Sequence, residues 1–443
     1  MEAWIMAAQL LLGLSILVVL HEFGHFIAAR AFGMRVEKFY LFFDAWGVKL
    51  FSYKKGDTEY GVGWLPLGGY VKISGMMDES MDKEMMKEPP KSWEFRAKPA
   101  WQRLIVMLGG VTVNVFLGMF IFSMMTFGYG EKYLPADQLK HGIVPLELGI
   151  ELGLQVGDKV LSINGEQVER FTDLLSSDAY LGETVYLNVE RKGRMIDIKL
   201  PSDFVLKLSE NKEKQNIFIE KRMTFFIAAV VPNSNAAKAG LEANDIILEV
   251  NGNDIRFYDE FVTSLNDNKG EQINLKIKRG DADLSMYAQV DENGKLGFQP
   301  MTNDFEYVVN RYGLGASILK GSAKSWELLI LNIKGFGKIF RGDISFSDSV
   351  AGPIGIATIY GGTWDWQKFW MITGILSMIL AFMNILPIPA LDGGHVLFLS
   401  FEAISGRKLS DKFLENTQVI GMVFLLALMT FVIGNDIWKY ILN

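Results

Sequence analysis

His21-Glu22-Phe23-Gly24-His25 is where residue types and spacing in this chain point to chemistry. On a helix, HExxH sets two imidazoles at i and i+4, on one face and roughly 5–6 Å apart at Cβ. Both can then bind one zinc ion while the glutamate between them serves as general base. The chain has four histidines in all, so a chance match carries little weight. The motif closes an apolar run with no charge from Ala3 to Leu20, and ionisable groups at the end of such a run mark function. The plainer alternative is a pair of helix-face histidines near a membrane surface. The pattern reads as a zinc site inside a membrane.

A catalytic zinc takes three protein ligands and keeps one position open. The remaining histidines are His141 and His395. His141 falls in a region that the charge pattern below puts on the opposite side of the membrane. The better third ligand is Asp392, in Asn384-Ile385-Leu386-Pro387-Ile388-Pro389-Ala390-Leu391-Asp392-Gly393-Gly394-His395. A lone carboxylate at the end of an uncharged run is costly unless neutralised, and a divalent cation would neutralise it. Gly393 and Gly394 permit a tight turn there, and Pro387 and Pro389 break the helix just before it. The alternative for Asp392 is a helix end surfacing in water. His395 reads as an interfacial histidine.

Four segments are long enough to carry these groups across a bilayer: about Ala3 to Ala29, Leu104 to Gly130, Phe369 to Leu391 and Asn416 to Asn435. Lysines and arginines crowd the segment between the first two (Arg30, Arg35, Lys38, Lys49, Lys54 and Lys55 among them) and the loop between the last two (Arg407, Lys408, Lys412). By the positive-inside rule both loops are cytoplasmic, both termini are outside, and HEFGH and Asp392 lie toward the cytoplasmic side. Residues 131 to about 365 then lie outside.

That outer region repeats itself. Val144-Pro145 matches Val231-Pro232, Gly153-Leu154 matches Gly240-Leu241, Asp158 matches Asp245, and Asn164-Gly165 matches Asn251-Gly252, each pair 87 residues apart. Each copy reads as a turn, a strand and an Asn-Gly hairpin turn, so one domain occurs twice. The pattern resembles tandem PDZ domains at 130–221 and 222–305, which bind peptide termini by strand addition or act as steric filters.

Residues 47–75, rich in glycine, aromatics and β-branched residues around a Lys-Gly-Asp turn, read as a cytoplasmic-side β-hairpin plus a further extended segment. They are either an ordinary hairpin or a sheet edge on which an unwound substrate could pair. Residues 311–341 mix apolar residues with lysines and read as an interfacial amphipathic helix, with a packed core helix as the alternative. The expected fold class is a polytopic α-helical membrane protein with four transmembrane helices, a β-hairpin and two extracytoplasmic α+β domains. Its divisions are 1–129, 130–221, 222–305, 306–365 and 366–443.

Composition narrows the alternatives. The net charge of −7, with no basic stripe, argues against nucleic-acid binding. The absence of cysteine excludes disulfide scaffolds and Cys-based zinc sites. Met1-Glu2 lacks the basic n-region of a cleavable signal peptide.

Taken together, HEFGH, NxxPxPxLDGG, the repeated domain and four spans resemble the site-two protease family, in particular its bacterial RseP-type (regulator of sigma-E protease) branch. The resemblance covers nearly the whole chain and includes Gly352-Pro353-Ile354-Gly355-Ile356-Ala357. It implies an intramembrane zinc metalloprotease of the bacterial inner membrane with Zn2+ held by His21, His25 and Asp392. Glu22 would be the general base and Asn384 a substrate-positioning residue, with Pro387 and Pro389 in a segment suited to hold an extended substrate. Partners would be the lipid bilayer and single-span membrane proteins such as anti-sigma factors or remnant signal peptides, cut by regulated intramembrane proteolysis. Two departures stand out. Gly109-Gly110 occupies the place of a frequent Gly-Pro pair, and Asp44-Ala45-Trp46-Gly47 replaces a Gly-Phe-Gly. The competing readings are a non-catalytic PDZ scaffold, which needs neither HExxH nor Asp392, and a conventional surface zincin, against which the apolar runs argue.

Overall fold

The computed structural model describes residues 2–66, 68–76, 89–180, 184–205, 207–208, 218–342 and 345–442. They form two compact units, Met1–Gly130 with Arg311–Asn443, and Glu131–Asn310.

The helices that organise the first unit are α1 (Glu2–Ala31), α2 (Ala100–Tyr129), α3 (Leu314–Arg341), α4 (Pro353–Tyr360), α5 (Trp366–Ile385), α6 (Asp392–Ser405) and α7 (Asp411–Ile437). Segments Glu2–Ala31, Ala100–Tyr129, Trp366–Ile385 and Lys412–Tyr440 are long and apolar enough to cross a membrane. Helix α2 is central, and small residues let three neighbours approach it closely. Gly109 meets the Gly24 backbone of α1, Gly118 receives Met378 of α5, and the Ser123 backbone abuts Gly321 of α3. On α3 the buried stripe is Ser317, Gly321 and Ser325, at four-residue spacing, while Leu319, Trp326 and Leu331 are exposed. One face of that helix is therefore packed on α2, which favours the packed-helix reading of 311–341 for that face.

The third span ends earlier than the apolar run implied. Helix α5 stops at Ile385 rather than Leu391, because Pro387 and Pro389 cannot continue the hydrogen-bond ladder and Leu386 is already extended. Residues 386–391 form a non-helical connection, and α6 starts at Asp392. The last span carries a buried carboxylate, Asp436, which accepts from the amides of Gly352, Ile354 and Gly355 at 2.8–3.0 Å. Those amides open α4, where the helix dipole favours an anion.

A four-stranded sheet completes the unit. It is built from β1 (Val36–Leu41), β2 (Lys49–Lys55), β3 (Thr58–Gly63) and β4 (Tyr70–Ile73), in the order β2-β3-β1-β4. The expected hairpin is β2–β3, turning at Gly56 (φ 63°). Strand β1 was not expected; it pairs parallel to β3 and antiparallel to β4, which leaves β4 as an edge.

The second unit holds two hydrophobic cores, one around Ile143, Val160, Ile163, Leu187 and Val189, the other around Ile227, Ile247, Val250, Leu275 and Ile277. The first copy contains β5 (Lys159–Ile163), β6 (Glu166–Gln167), β7 (Tyr186–Arg191) and β8 (Arg194–Lys199), ordered β8-β7-β5-β6. The second contains β9 (Ile246–Val250), β10 (Asn253–Asp254), β11 (Gln272–Arg279) and β12 (Ala282–Gln289), ordered β12-β11-β9-β10. The two orders are the same. Polar anchors repeat as well. Arg191 grips Asp158 and donates to the Gly153 carbonyl, and Arg279 grips Asp245 and donates to the Gly240 carbonyl. Asn164 and Asn251, both at φ 52°, accept from backbone amides of β7 and β11, those of Tyr186 and Asn274 respectively.

Burial of Asp245 opposes its ionisation, but Arg279 and the Glu242 amide more than offset this and hold its carboxyl below the ordinary value of 3.8. A depressed carboxyl contributes stability above the unfolded-state pKa, and that stability is lost as pH falls through the folded one. Asp245→Asn should therefore destabilise the second repeat at neutral pH and flatten its loss of stability below about pH 4. Hydrogen exchange over residues 225–300 across an acid titration checks this, and an acid limb as steep as the parent's would refute it.

Candidate metal centre and active site

The site is assembled where α1 crosses α2. At Gly24 and Gly109 the two backbones touch with no room for a Cβ on either, which brings the last turns of α1 against the first half of α2. His21 and His25 project from one face of α1, with ring centroids 4.9 Å apart and planes at 79°. They occupy space left by Gly110, where a Cβ would come within 2.5 Å of His25 Nε2 and His21 Cε1. The Gly-Gly departure at 109–110 is thus a packing requirement of both the crossing and the imidazoles.

Asp392 reaches the same point from the start of α6. The connection before it turns at Ala390, a non-glycine residue at φ 75°, a strained conformation of the kind that clusters at functional sites. Gly393 and Gly394 lie directly against the carbonyls of Leu386 and Ile388, so α6 folds back tightly under the proline segment. The turn aims Asp392 Oδ2 at the histidines, 3.1 Å from His21 Nε2 and 3.4 Å from His25 Nε2. The two Nε2 atoms are 3.3 Å apart.

These three separations test the fit to zinc. A tetrahedral ion with bonds of about 2.0–2.1 Å spaces its ligand atoms about 3.3–3.4 Å apart. The donors match that edge length. Despite its closeness to both rings, Asp392 Oδ2 is buried without a hydrogen-bond partner. A buried carboxylate oxygen in that state is expensive unless a cation takes it. Among the described residues, no other three His, Asp or Glu side chains gather this closely.

The outer nitrogens of both rings are held by α2. The Val106 carbonyl is 2.8 Å from His25 Nδ1 and accepts its proton, which leaves Nε2 with its lone pair toward Asp392. Asn114, fully buried, faces His21 Nδ1 at 3.1 Å. Its Oδ1 has no partner as oriented. Interchanging its amide oxygen and nitrogen lets Oδ1 accept from His21 Nδ1–H and frees that Nε2 as well.

Around these groups lies a cavity of about 540 Å3. His21, Glu22, His25 and Asp392 line it on one side; Tyr70, Val71 and Lys72 of the edge strand β4 line it on the other. The loop after β1 is pinned to this wall by Asp44, which accepts from Lys38 at 2.8 Å and from the Tyr70 hydroxyl at 2.7 Å. That clamp holds a loop with two non-glycine residues at positive φ, Phe42 (65°) and Trp46 (55°). Here the Asp44 departure finds its structural correlate.

The other expected residues are placed as follows. Asn384 Nδ2 stands 3.3 Å from His21 Nε2, at the border of the donor cluster. Asn384, Pro387 and Pro389 are not among the cavity-lining residues described. His395 lines the cavity. His141 belongs to the second unit, 3.6 Å from Asp304. Sequence reasoning missed Asn114 and the Val106 carbonyl. The first had a signal, an amide inside an uncharged run; a backbone carbonyl has none.

Comparison with known proteins agrees with this chemistry. The model of peptidase family M50 matches residues 9–428. The regulator of sigma E protease of Haemophilus influenzae is 30% identical, over 96% of this chain and 97% of that protein. The regulator of sigma-E protease RseP of Escherichia coli is 29% identical, over 97% of each. A Pasteurella multocida relative whose name assigns it to the zinc metalloproteases is 28% identical, over 97% of this chain and 98% of that protein.

Asn114→Leu should weaken zinc binding about 10–100-fold while the protein stays folded, the usual cost of losing a partner that orients a ligand. Chelator competition on the purified protein measures this; an unchanged affinity would mean that His21 needs no help from α2.

Proposed function

The chain belongs to peptidase family M50, the zinc-dependent metalloproteases, and from that premise we propose that it cuts membrane-embedded substrates with Glu22 as general base and His21, His25 and Asp392 as the zinc ligands. The observation that carries this reading is the spacing of 3.1–3.4 Å among three donors, with one carboxylate oxygen left unpartnered, at the end of an apolar helix. The chemistry zinc supplies when bound is Lewis acidity, which activates the scissile carbonyl and the attacking water. The Glu22 carboxylate accepts the water's proton and returns it to the leaving amine nitrogen. Val106 and Asn114 hold the imidazoles in place through this transfer.

A helical substrate hides its carbonyls, so the segment to be cut must be extended. Strand β4 pairs on one side with β1, and it lines the cavity that contains Glu22. An unwound stretch would add to that edge as a further strand. Asn384, Pro387 and Pro389 border the donor cluster through the α5–α6 connection and would support the same stretch, Asn384 through its amide. The substrates would be single-span proteins, such as anti-sigma factors already shortened outside, or remnant signal peptides. The excess of Lys and Arg around residues 30–103 and 407–412 supports a cytoplasmic-side active site in a bacterial inner membrane. The duplicated strand order and Arg–Asp anchors support tandem PDZ-type domains at 130–221 and 222–305, outside. There they would bind peptide termini or exclude substrates still carrying bulky domains.

Glu22→Gln should abolish cleavage of a transmembrane substrate while zinc content and thermal stability stay near those of the parent. Substantial residual proteolysis by the purified variant would remove Glu22 from the mechanism. Because the donors and Glu22 all come from outside residues 131–310, deletion of 130–305 with a short linker should leave zinc binding intact. On the filter reading, the deleted form cuts substrates with large outer domains prematurely. Unchanged discrimination between full-length and shortened substrates would discard the filter.

A further inference from the structure

Helix α7 contributes one polar side chain to the catalytic cavity. Gln418 is 7% exposed, lines that cavity, and has no hydrogen-bond partner among the described residues. Its position is fixed rather than incidental. One turn further on, Gly421 lies against Pro389 with no room for a Cβ, which ties this face of α7 to the connection that delivers Asp392. Gln418 also lines a second cavity of about 370 Å3, which shares Met76 and His395 with the first. The two cavities are adjoining, and Gln418 stands at their threshold.

The lining of the second cavity indicates what it holds. Phe95, Phe398, Leu399 and Leu414 make its walls. Its arginines are already engaged, Arg103 with Glu402 and Arg96 with Glu94. Lys408 and His395 also line it; with both arginines paired and four large apolar residues in the walls, the cavity suits a large apolar side chain. A buried primary amide carries a donor and an acceptor together, the complement of one peptide unit. Facing the cavities with no hydrogen bond to the described residues, the amide is free to pair, and a peptide backbone would satisfy its donor and acceptor at once.

We propose that Gln418 clamps one backbone amide of the extended substrate and that the second cavity is the subsite for the large apolar side chain beside it. The inference rests on the protease reading above. It adds to β4 a second backbone contact, from the fourth span.

The test measures binding of a transmembrane peptide to zinc-loaded protein in the Glu22→Gln background, where no turnover occurs. Gln418→Met, close in size and without hydrogen-bonding groups, should weaken binding about tenfold with zinc content and thermal stability retained. A set of peptides with single amide-to-ester replacements supplies the second readout. One ester should weaken binding to the Gln418 protein and have no effect on Gln418→Met, a non-additivity that a packing role would not produce. Replacing the neighbouring large apolar residue of the peptide by alanine should also weaken binding. Unchanged binding by Gln418→Met, additive ester effects at every position, or loss of stability in Gln418→Met and Gln418→Leu alike would overturn the proposal. Failure of the Glu22-intact parent to cut the same peptide would overturn the protease reading with it; cutting by the parent with any of the former results overturns the clamp alone.

Discussion

The contact between the α1 and α2 backbones at Gly24 and Gly109 is the constraint from which the rest of the site follows. Two helices carrying ordinary side chains cross at about 8–10 Å, with those side chains filling the space between them. With no Cβ at the crossing, the Val106 carbonyl reaches His25 and Asn114 reaches His21, while Gly110 leaves volume for both rings. The same close approach sets ring orientation, tautomer and donor spacing together. A bulkier residue at Gly24 or Gly109 would change all three, which is why the candidate metal centre cannot be separated from the helix packing that holds it.

A second regularity concerns polar groups within the apolar helices. Asp436 is bound by three amides at the start of α4, Ser377 donates to the Asn114 carbonyl, and Thr373 meets the Tyr360 hydroxyl at 3.1 Å. Gln9 donates to the Gly361 carbonyl. Each joins two separate segments, so polar groups that would be costly in lipid act as fasteners. Against that background the unpartnered Asp392 Oδ2 stands apart, and it faces the cavity that Gln418 also lines.

Much of this was readable in the sequence because it was local. HExxH fixes its own geometry once it is helical, and the 87-residue offset fixes a repeat before any contact is known. Asp392 was legible for a different reason: a charge after a long apolar run demands a partner. Hydropathy alone carries the third span to Leu391, whereas Pro387 and Pro389 mark the helix break that ends α5 at Ile385. Strand β1 is hidden because its residues, Val36 to Leu41, acquire their partners from β3 and β4, 21 to 37 residues away. Asn114 was visible as an amide in an uncharged run, but its role depends on the crossing angle and depth of two helices. Nothing in the residue order states those.

On the proposed reading, the arrangement also bears on how a substrate loses its helix. Every backbone amide and carbonyl released inside a membrane costs several kcal/mol unless it finds a new partner. An enzyme that only cut would have to wait for a rare spontaneous unwinding. The edge of β4 offers a row of backbone groups on one wall of the cavity. The amides of Asn384 and Gln418 stand beside the donor cluster and across the threshold of the second cavity. Each residue that leaves the helix can therefore exchange one hydrogen bond for another, so unwinding and binding become a single step. The clamp at Asp44 then gains a purpose. A mobile loop after β1 would let the wall shift, whereas one fixed to Lys38 and Tyr70 keeps β4 at a constant distance from Glu22. Positioning of this kind matters because displacement of a reacting carbonyl by about 1 Å costs on the order of a hundredfold in rate.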